Sequence, residues 1–187
     1  MILTRSLNRA STEKAYGQLL VRPLEHSDAA ALAVAYRRNR EHLAPWEPTR
    51  VDEFFTTTGQ AAVIRAKLNL YDQGSEVPWV VTTPEGIIGM IVLSGIVRGP
   101  FLNANLGYWV DAAWTRKGIA SGAVAAVVNM ATNELGLHRL QAATLAHNTG
   151  SQAVLERSGF KRIGMAPSYL QIAGEWQDHV LFQRILF

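Results

Sequence analysis

Residues 106–124, LGYWVDAAWTRKGIASGAV, read in one pass as a strand, a turn and the start of a helix, and no other stretch limits the fold as tightly. Leu106, Tyr108, Trp109 and Val110 are the aliphatic, aromatic and β-branched residues that extended backbone favours. Asp111-Ala112-Ala113 ends that strand. From Gly118 onward Ile119, Val124, Val127, Val128, Ala131 and Leu135 recur at helical spacing, so a helix begins near Gly118. A helix start presents unpaired N–H groups and about half a positive charge, and a glycine there lets an anion approach the backbone. Arg116 and Lys117 add full charges to a turn that also exposes the amides of Gly118, Ile119 and Ala120. This is a phosphate-binding layout, although the same junction also occurs in α/β proteins for structural reasons alone.

Thr115-Arg116-Lys117-Gly118-Ile119-Ala120 resembles the acyl-CoA loop of the GNAT N-acetyltransferase superfamily, whose pattern is Gln or Arg, two residues, Gly, one residue, then Gly or Ala. The first position departs from that pattern, being Thr115. The resemblance extends through His147-Asn148-Thr149-Gly150-Ser151, Glu156-Arg157-Ser158-Gly159-Phe160, Tyr169-Leu170 and Gly174-Glu175-Trp176-Gln177-Asp178-His179. With Leu43-Ala44-Pro45-Trp46-Glu47-Pro48 and Val97-Arg98-Gly99-Pro100 upstream, these segments look like the RimJ branch, close to RimL, the ribosomal-protein N-terminal alanine acetyltransferases.

At 187 residues the chain suits one domain with its own core. Hydrophobic residues at 48% against 18% charged are those of a globular protein. There is no cysteine, which excludes disulfides, thiolate metal sites and a covalent cysteine acyl-enzyme. The longest apolar run, residues 86–93, is far short of the roughly 20 residues that span a bilayer. Arg5, Arg9 and Lys14 interrupt the N-terminus without the apolar segment of a secretory signal, so a cytoplasmic protein without membrane association is expected. The net charge of +3 suits an anionic cofactor or a ribosome-associated partner without selecting either.

Residues 1–16 are expected to form a polar, loosely held arm, followed by a single domain over 17–187. Residues 18–23 alternate as a first strand stopped by Pro23, and Ser27 or Asp28 can cap a helix with Leu32, Ala33 and Tyr36 facing inward. Pro45 and Pro48 force a loop around Trp46, where the acceptor is expected to bind. A second helix is predicted over 52–72, a hairpin over 78–96, and its antiparallel neighbour over 103–110. After the long helix of 118–136 come a short strand at 139–144, a short helix at 151–157, a strand at 160–164 and a last strand at 178–187. The pattern predicts an α+β fold. The GNAT resemblance specifies a mixed central sheet of about seven strands with helices on both faces. It further implies parallel strands that splay apart before and after the long helix, with acetyl-CoA entering the gap and no metal.

The resemblance assigns coenzyme contacts to Trp109, Val110, Arg116, Lys117, Gly118, Ile119, Ala120, Ser121, Asn148 and Ser151. It makes the Val110 N–H the candidate oxyanion donor. Ser151 of Asn148-Thr149-Gly150-Ser151 becomes the candidate acid for the departing thiolate. Read from the residues alone, Ser151 is more readily a helix cap, and Asn148 can be a turn former. Glu47 is the alternative base or an attractor of the acceptor's ammonium, because Ser168 stands where RimL-like enzymes carry a Glu. Trp46, Glu47 and Tyr108 are the candidate acceptor contacts. His147 can titrate near neutral pH, but the remaining histidines show no ligand spacing. Trp109, Trp114 and Trp176 are read as core residues, and Asp178 as holding the turn into the last strand.

The acceptor follows in part from acid–base magnitudes. An α-amine titrates near 7.7–8.0 and a lysine near 10.4, so at neutral pH roughly a tenth of N-termini but only about one lysine in a few thousand is neutral. A site without an obvious catalytic carboxylate therefore suits a protein N-terminus beginning with Ala or Ser, as the resemblance implies. Two alternatives stay open: a small amine such as an antibiotic or polyamine, and a ribosome- or RNA-binding protein that keeps the fold, motivated by the basic arm and by Arg37, Arg38 and Arg40. Monomer and homodimer are both compatible with the sequence.

Overall fold

Apolar stretches punctuated by glycine and proline turns build one eight-stranded sheet in the computed structural model, which describes residues 10–12 and 19–187. The strands are β1 (Ala10–Thr12), β2 (Leu19–Pro23), β3 (Glu76–Thr83), β4 (Gly86–Val97), β5 (Asn103–Val110), β6 (Arg139–Leu145), β7 (Lys161–Ile172) and β8 (Glu175–Ile185). Their spatial order is β1-β2-β3-β4-β5-β6-β8-β7. Only β5 and β6 pair in parallel; every other neighbour is antiparallel. The sheet thus carries one strand more than expected, the short β1, which lies inside the segment read as an arm. Arg5, Arg9 and Lys14 lie outside the described residues.

The strand period of two sorts side chains onto two cores. On one face α1 (Ala29–Arg38) and α3 (Thr57–Asp72) cover Val80, Ile87, Met90 and Trp109 with Leu32, Tyr36 and Ile64. On the other, α4 (Ile119–Asn133) and α5 (Thr149–Arg157) cover Trp79, Val81, Ile91, Leu106 and Phe182 with Val124, Val127, Ala131 and Leu155. Each fully buried aliphatic side chain contributes about 1.5–3 kcal/mol, so the helices are held on the sheet by their apolar stripes. A short helix α2 (Arg40–Leu43) follows α1 and delivers the chain to the proline-bounded loop. Among the described residues no helix is long and apolar enough to cross a membrane.

Two elements differ most from the sequence reading. The helix predicted over 52–72 is a 3₁₀ turn (Asp52–Phe55) and then α3, because Thr56 is extended and its Oγ1 accepts the Gly59 N–H at 3.0 Å as a new cap. The strand predicted to stop at Gly164 runs on as β7 to Ile172, accommodating Pro167 and Ser168 in a register irregularity between Ala166 and Leu170. Asp178 holds that irregularity: its Oδ1 accepts the Ser168 N–H at 2.9 Å, and it lies within β8 instead of at a turn. Trp176 is 65% exposed and belongs to no core.

Candidate active site

The parallel pairing of β5 with β6 extends over three registers, Asn103 with Arg139, Ala104 with Leu140 and Asn105 with Gln141, and goes no further. From Leu106 onward β5 has β4 on one side and an opening on the other. The Asp111 N–H donates to Ile88 O of the β4 side at 2.8 Å, and strand alternation then turns the amides of Tyr108 and Val110 toward the opening. Trp109 points to the opposite face, where its Nε1–H donates to Tyr36 Oη at 2.9 Å. It still borders the opening.

Beyond Val110 the chain makes a short turn and enters the loop before α4. Gly118 caps α4 in the left-handed region, with φ at 78°. Arg116 also has positive φ, at 59°, which costs a non-glycine residue about 1–2 kcal/mol. Left-handed backbone at a helix N-terminus is a conformation in which free amides can converge on an anion. The Lys117 ammonium lies 4.9 Å from the Trp114 ring centre. The start of this loop is fixed from α1: Asp111, buried, accepts from Arg38 Nε at 2.6 Å and Asn39 Nδ2 at 2.8 Å, and its second oxygen accepts the Ala113 N–H at 2.9 Å. Burial alone would raise the Asp111 pKa, but the hydrogen bonds from Asn39, Ala113 and Arg38, with the Arg38 charge, hold it below the ordinary carboxylate value.

At the opposite wall, Asn148 caps α5, its Oδ1 accepting the Ser151 N–H at 3.0 Å. The cap reading of Ser151 is thereby taken over by Asn148. The Ser151 hydroxyl instead sits 2.9 Å from Tyr108 Oη across the opening, and Tyr108 Oη also lies 3.2 Å from Ser151 O. Burial pushes the Tyr108 phenol up to about 12, partly countered by the Ser151 bond.

The far end of the opening is walled by Trp46 and His147, whose rings lie 5.4 Å apart at 36°. Glu47 is next in the chain, half-buried, with Arg50 Nε 3.6 Å from its Oε2. Burial raises the Glu47 carboxyl above its ordinary value in spite of Arg50. The loop is anchored across the site by the Ala173 N–H, which donates to Glu47 O at 3.0 Å from the β7–β8 turn.

A cavity of about 540 Å³, of the size small-molecule sites usually have, joins these walls. Trp46, Tyr108, Trp109, Val110, Arg116, Gly118, Ile119, Ala120, Ser121, Asn148 and Ser151 all line it; Lys117 and Glu47 do not. His147 lines it as well, as do Leu43 and Arg157, to which the sequence reading gave no role at the site, and Trp114, which it read as a core residue. Gly150, Val154 and Arg157 stand at helical i, i+4 and i+7 spacing on α5, a signal that would have found Arg157 once Ser151 was suspected. Among the described residues no group of three or more His, Asp or Glu side chains could hold a metal ion.

Comparison with known proteins agrees with this geometry. The acetyltransferase (GNAT) domain model matches residues 18–161. The [ribosomal protein uS5]-alanine N-acetyltransferase of Escherichia coli is 36% identical over 166 residues, covering 88% of this chain and 86% of the relative. Among solved structures, the ribosomal-protein-S5-alanine acetyltransferase of Vibrio fischeri superposes with a TM-score of 0.87 at 36% identity, covering 94% of this chain and 96% of that one. RimJ of Mycobacterium smegmatis, solved in complex with CoA-disulfide, gives 0.87 at 30% identity, covering 90% and 82%. With its splayed strands, its left-handed loop before α4 and this match over most of its length, the chain belongs to the GNAT acetyltransferase family.

Proposed function

We propose that this enzyme transfers the acetyl group of acetyl-CoA to the α-amine of a protein N-terminus beginning with Ala or Ser, a ribosomal protein being the natural candidate, in the cytoplasm. The observation that carries the reading is the continuity of one cavity from the left-handed loop at Arg116 and Gly118 to the Trp46–His147 wall. The relatives that acetylate the alanine of a ribosomal protein support the choice of acceptor.

The residues present fit the cofactor. Apart from its own chain neighbours, no protein atom among the described residues lies within 4 Å of where a Gly118 Cβ would stand, so the space beside its amide is open to a pyrophosphate. Arg116 faces that space with charge, and the α4 amides from Ile119 to Ser121 add their dipole. Lys117, over Trp114, contributes to the field from outside the cavity. The Tyr108 and Val110 edge offers main-chain groups to an amide-containing arm, and Asn148, whose Oδ1 is committed to the Ser151 N–H, lines the same cavity at the start of α5.

When bound, acetyl-CoA supplies an acyl group activated as a thioester. The Val110 N–H is the oxyanion donor, preorganised on a strand held by β4 on its other side. Ser151 is the acid that protonates the departing thiolate. Glu47, one residue from the cavity wall at Trp46, draws the acceptor's ammonium toward the site or accepts its proton through water. An α-amine with about a tenth of its population already neutral asks little of such an indirect base.

The test is calorimetric titration with acetyl-CoA, followed by thiol release with peptides starting Ala, Ser or Met and with small polyamines. Binding together with release on Ala or Ser peptides is expected. Release on polyamines alone would move the acceptor to small amines, and absence of acetyl-CoA binding would overturn the site.

A further inference from the structure

Tyr108 and Ser151 come from opposite sides of the opening, one on β5 and one on the first turn of α5, and their hydroxyls meet at 2.9 Å. Ser151 is not needed as a cap, because Asn148 holds that place at 3.0 Å. Its hydroxyl is therefore committed to Tyr108 or free for the cavity, and which of these holds depends on where the Tyr108 proton points. If the phenol donates to Ser151 O, at 3.2 Å, the serine proton turns toward the phenol oxygen and is lost to the cavity. If the phenol donates to Ser151 Oγ, the serine proton is released into the cavity.

From this geometry we propose that Tyr108 is a positioning residue that acts through Ser151: it donates to Ser151 Oγ, points the serine proton at the departing sulfur, and lets the two hydroxyls act as one acid. The inference rests on the assignment of Ser151 as the acid. A phenol is the stronger acid of the two hydroxyls, so it is the better donor, and a chain in which Tyr108 donates to Ser151 while Ser151 donates onward strengthens at both links. The balance closes as follows. The amine nitrogen bonds to the acetyl carbon, the carbon–sulfur bond breaks, and sulfur takes the Ser151 proton. The Tyr108 proton moves to Ser151 Oγ, the acetylated amine gives its proton up to solvent, and Tyr108 is reprotonated from solvent before the next turnover. No other reactant is consumed.

Burial keeps the Tyr108 proton in place until it is drawn along this chain, since the phenol titrates at about 12. Ser151 alone is a much weaker acid than the pair. Loss of the phenol hydroxyl should therefore damage turnover without damaging the site's hold on the rest of the coenzyme.

The experiment is a double-mutant cycle of Tyr108→Phe and Ser151→Ala, read by kcat and by calorimetric binding of CoA and of desulfo-CoA across pH. Tyr108→Phe is expected to lower kcat about tenfold or more, less than the roughly 10²–10⁴-fold of a lost general acid because Ser151 itself remains, with acetyl-CoA affinity kept within about threefold. In the Ser151→Ala background the same change should have no further effect. The binding arm reads the ground state. The native protein should prefer CoA over desulfo-CoA increasingly as the thiol ionises, and each single variant should lose that preference to the same extent. Equal loss of kcat from Tyr108→Phe with and without Ser151 would overturn the proposal and leave Tyr108 a wall of the pocket, as would an unchanged kcat. A Ser151→Ala variant with unchanged kcat would instead remove the acid assignment itself, so the two failures are distinguishable.

Discussion

Asn39 and Asp111 stand 72 positions apart and meet through a 2.8 Å hydrogen bond from Asn39 Nδ2 to Asp111 Oδ2, at the point where β5 turns toward the phosphate loop. The same amide donates to Ala35 O at 2.9 Å, and Asn39 Oδ1 accepts the Ala112 N–H at 2.9 Å. One buried side chain thus ties the end of α1 to both residues that follow Val110. Asn39→Ala leaves the Ala112 N–H and Asp111 short of partners, and each buried unsatisfied group costs about 1–3 kcal/mol. Because the bonded residues adjoin the proposed oxyanion donor, kcat should fall along with stability. Urea denaturation and steady-state turnover on the same preparation check this; lost stability with an intact kcat would reduce the clamp to a fold element.

Arg116 combines a strained backbone with a charge at the mouth of the cavity, and two substitutions separate them. Arg116→Ala removes the charge and keeps the strain at φ 59°. Arg116→Gly removes both, relieving about 1–2 kcal/mol of strain against the added freedom of glycine in the unfolded chain. The glycine variant should melt at or above the alanine variant, while both bind acetyl-CoA several-fold more weakly and with a shallower salt dependence. Gly118→Val has the opposite profile. It adds strain at φ 78° and fills open space with a side chain, so binding should fall by at least the roughly tenfold that 1.4 kcal/mol represents. Unchanged acetyl-CoA affinity in Gly118→Val would falsify the loop assignment.

Much of this site was legible because its parts are local in sequence. The strand over 103–110 and the helix start at Gly118 follow from periodicity and one glycine, and both lie where the pattern put them. What the sequence hid is non-local. Nothing in Tyr108 or Ser151 alone announces that their hydroxyls meet, since the contact depends on how far β5 and β6 diverge. Asp111 read as the end of a strand, which it is, but its pairing with Asn39 needs the packing of α1 on the sheet. The length of β7 was missed for a different reason. Pro167 and a positive φ at Ser168 are breaking signals, and the strand survives them because β8 pairs on both sides of the irregularity.

Asp111 and Glu47 are carboxylates with opposite shifts, and their pH dependences should differ in sign. The Asp111 pKa is held below its unfolded value, so its contribution to stability is present above the ordinary carboxylate range and is lost as pH falls through the lower folded value. The Glu47 pKa is raised by burial, so ionising it costs stability as pH rises from the ordinary value of about 4.3 through the higher folded one. Glu47→Gln should therefore raise the melting temperature at about pH 8 and leave it close to native near pH 4, where the native carboxyl is already neutral. The cost at pH 8 is small because Glu47 keeps Arg50 at 3.6 Å. If the same variant also loses kcat with α-amine acceptors, Glu47 is a group the protein destabilises itself to keep, as functional carboxylates often are. A melting temperature lowered at pH 8 would contradict the burial of Glu47.

His147 offers the last discrimination, because a ring that walls a pocket and a ring that moves a proton respond differently to replacement by another ring. It stacks at 5.4 Å on Trp46, and both line the cavity. His147→Phe keeps an aromatic face against Trp46 and removes every titratable nitrogen. His147→Ala removes the face as well. If His147 positions the Trp46 wall, the phenylalanine variant should keep kcat within about threefold and keep the native pH profile, and the alanine variant should raise the acceptor KM while acetyl-CoA affinity changes little. If His147 is the base, both variants should lose kcat alike, and the limb of the pH profile that reports the base should vanish in each. Profiles of kcat/KM against pH with an Ala-starting peptide decide between them. The wall is the expected result, because the stacking partner is supplied by the same proline-bounded loop that carries Glu47, and that loop is itself pinned to the β7–β8 turn through Ala173.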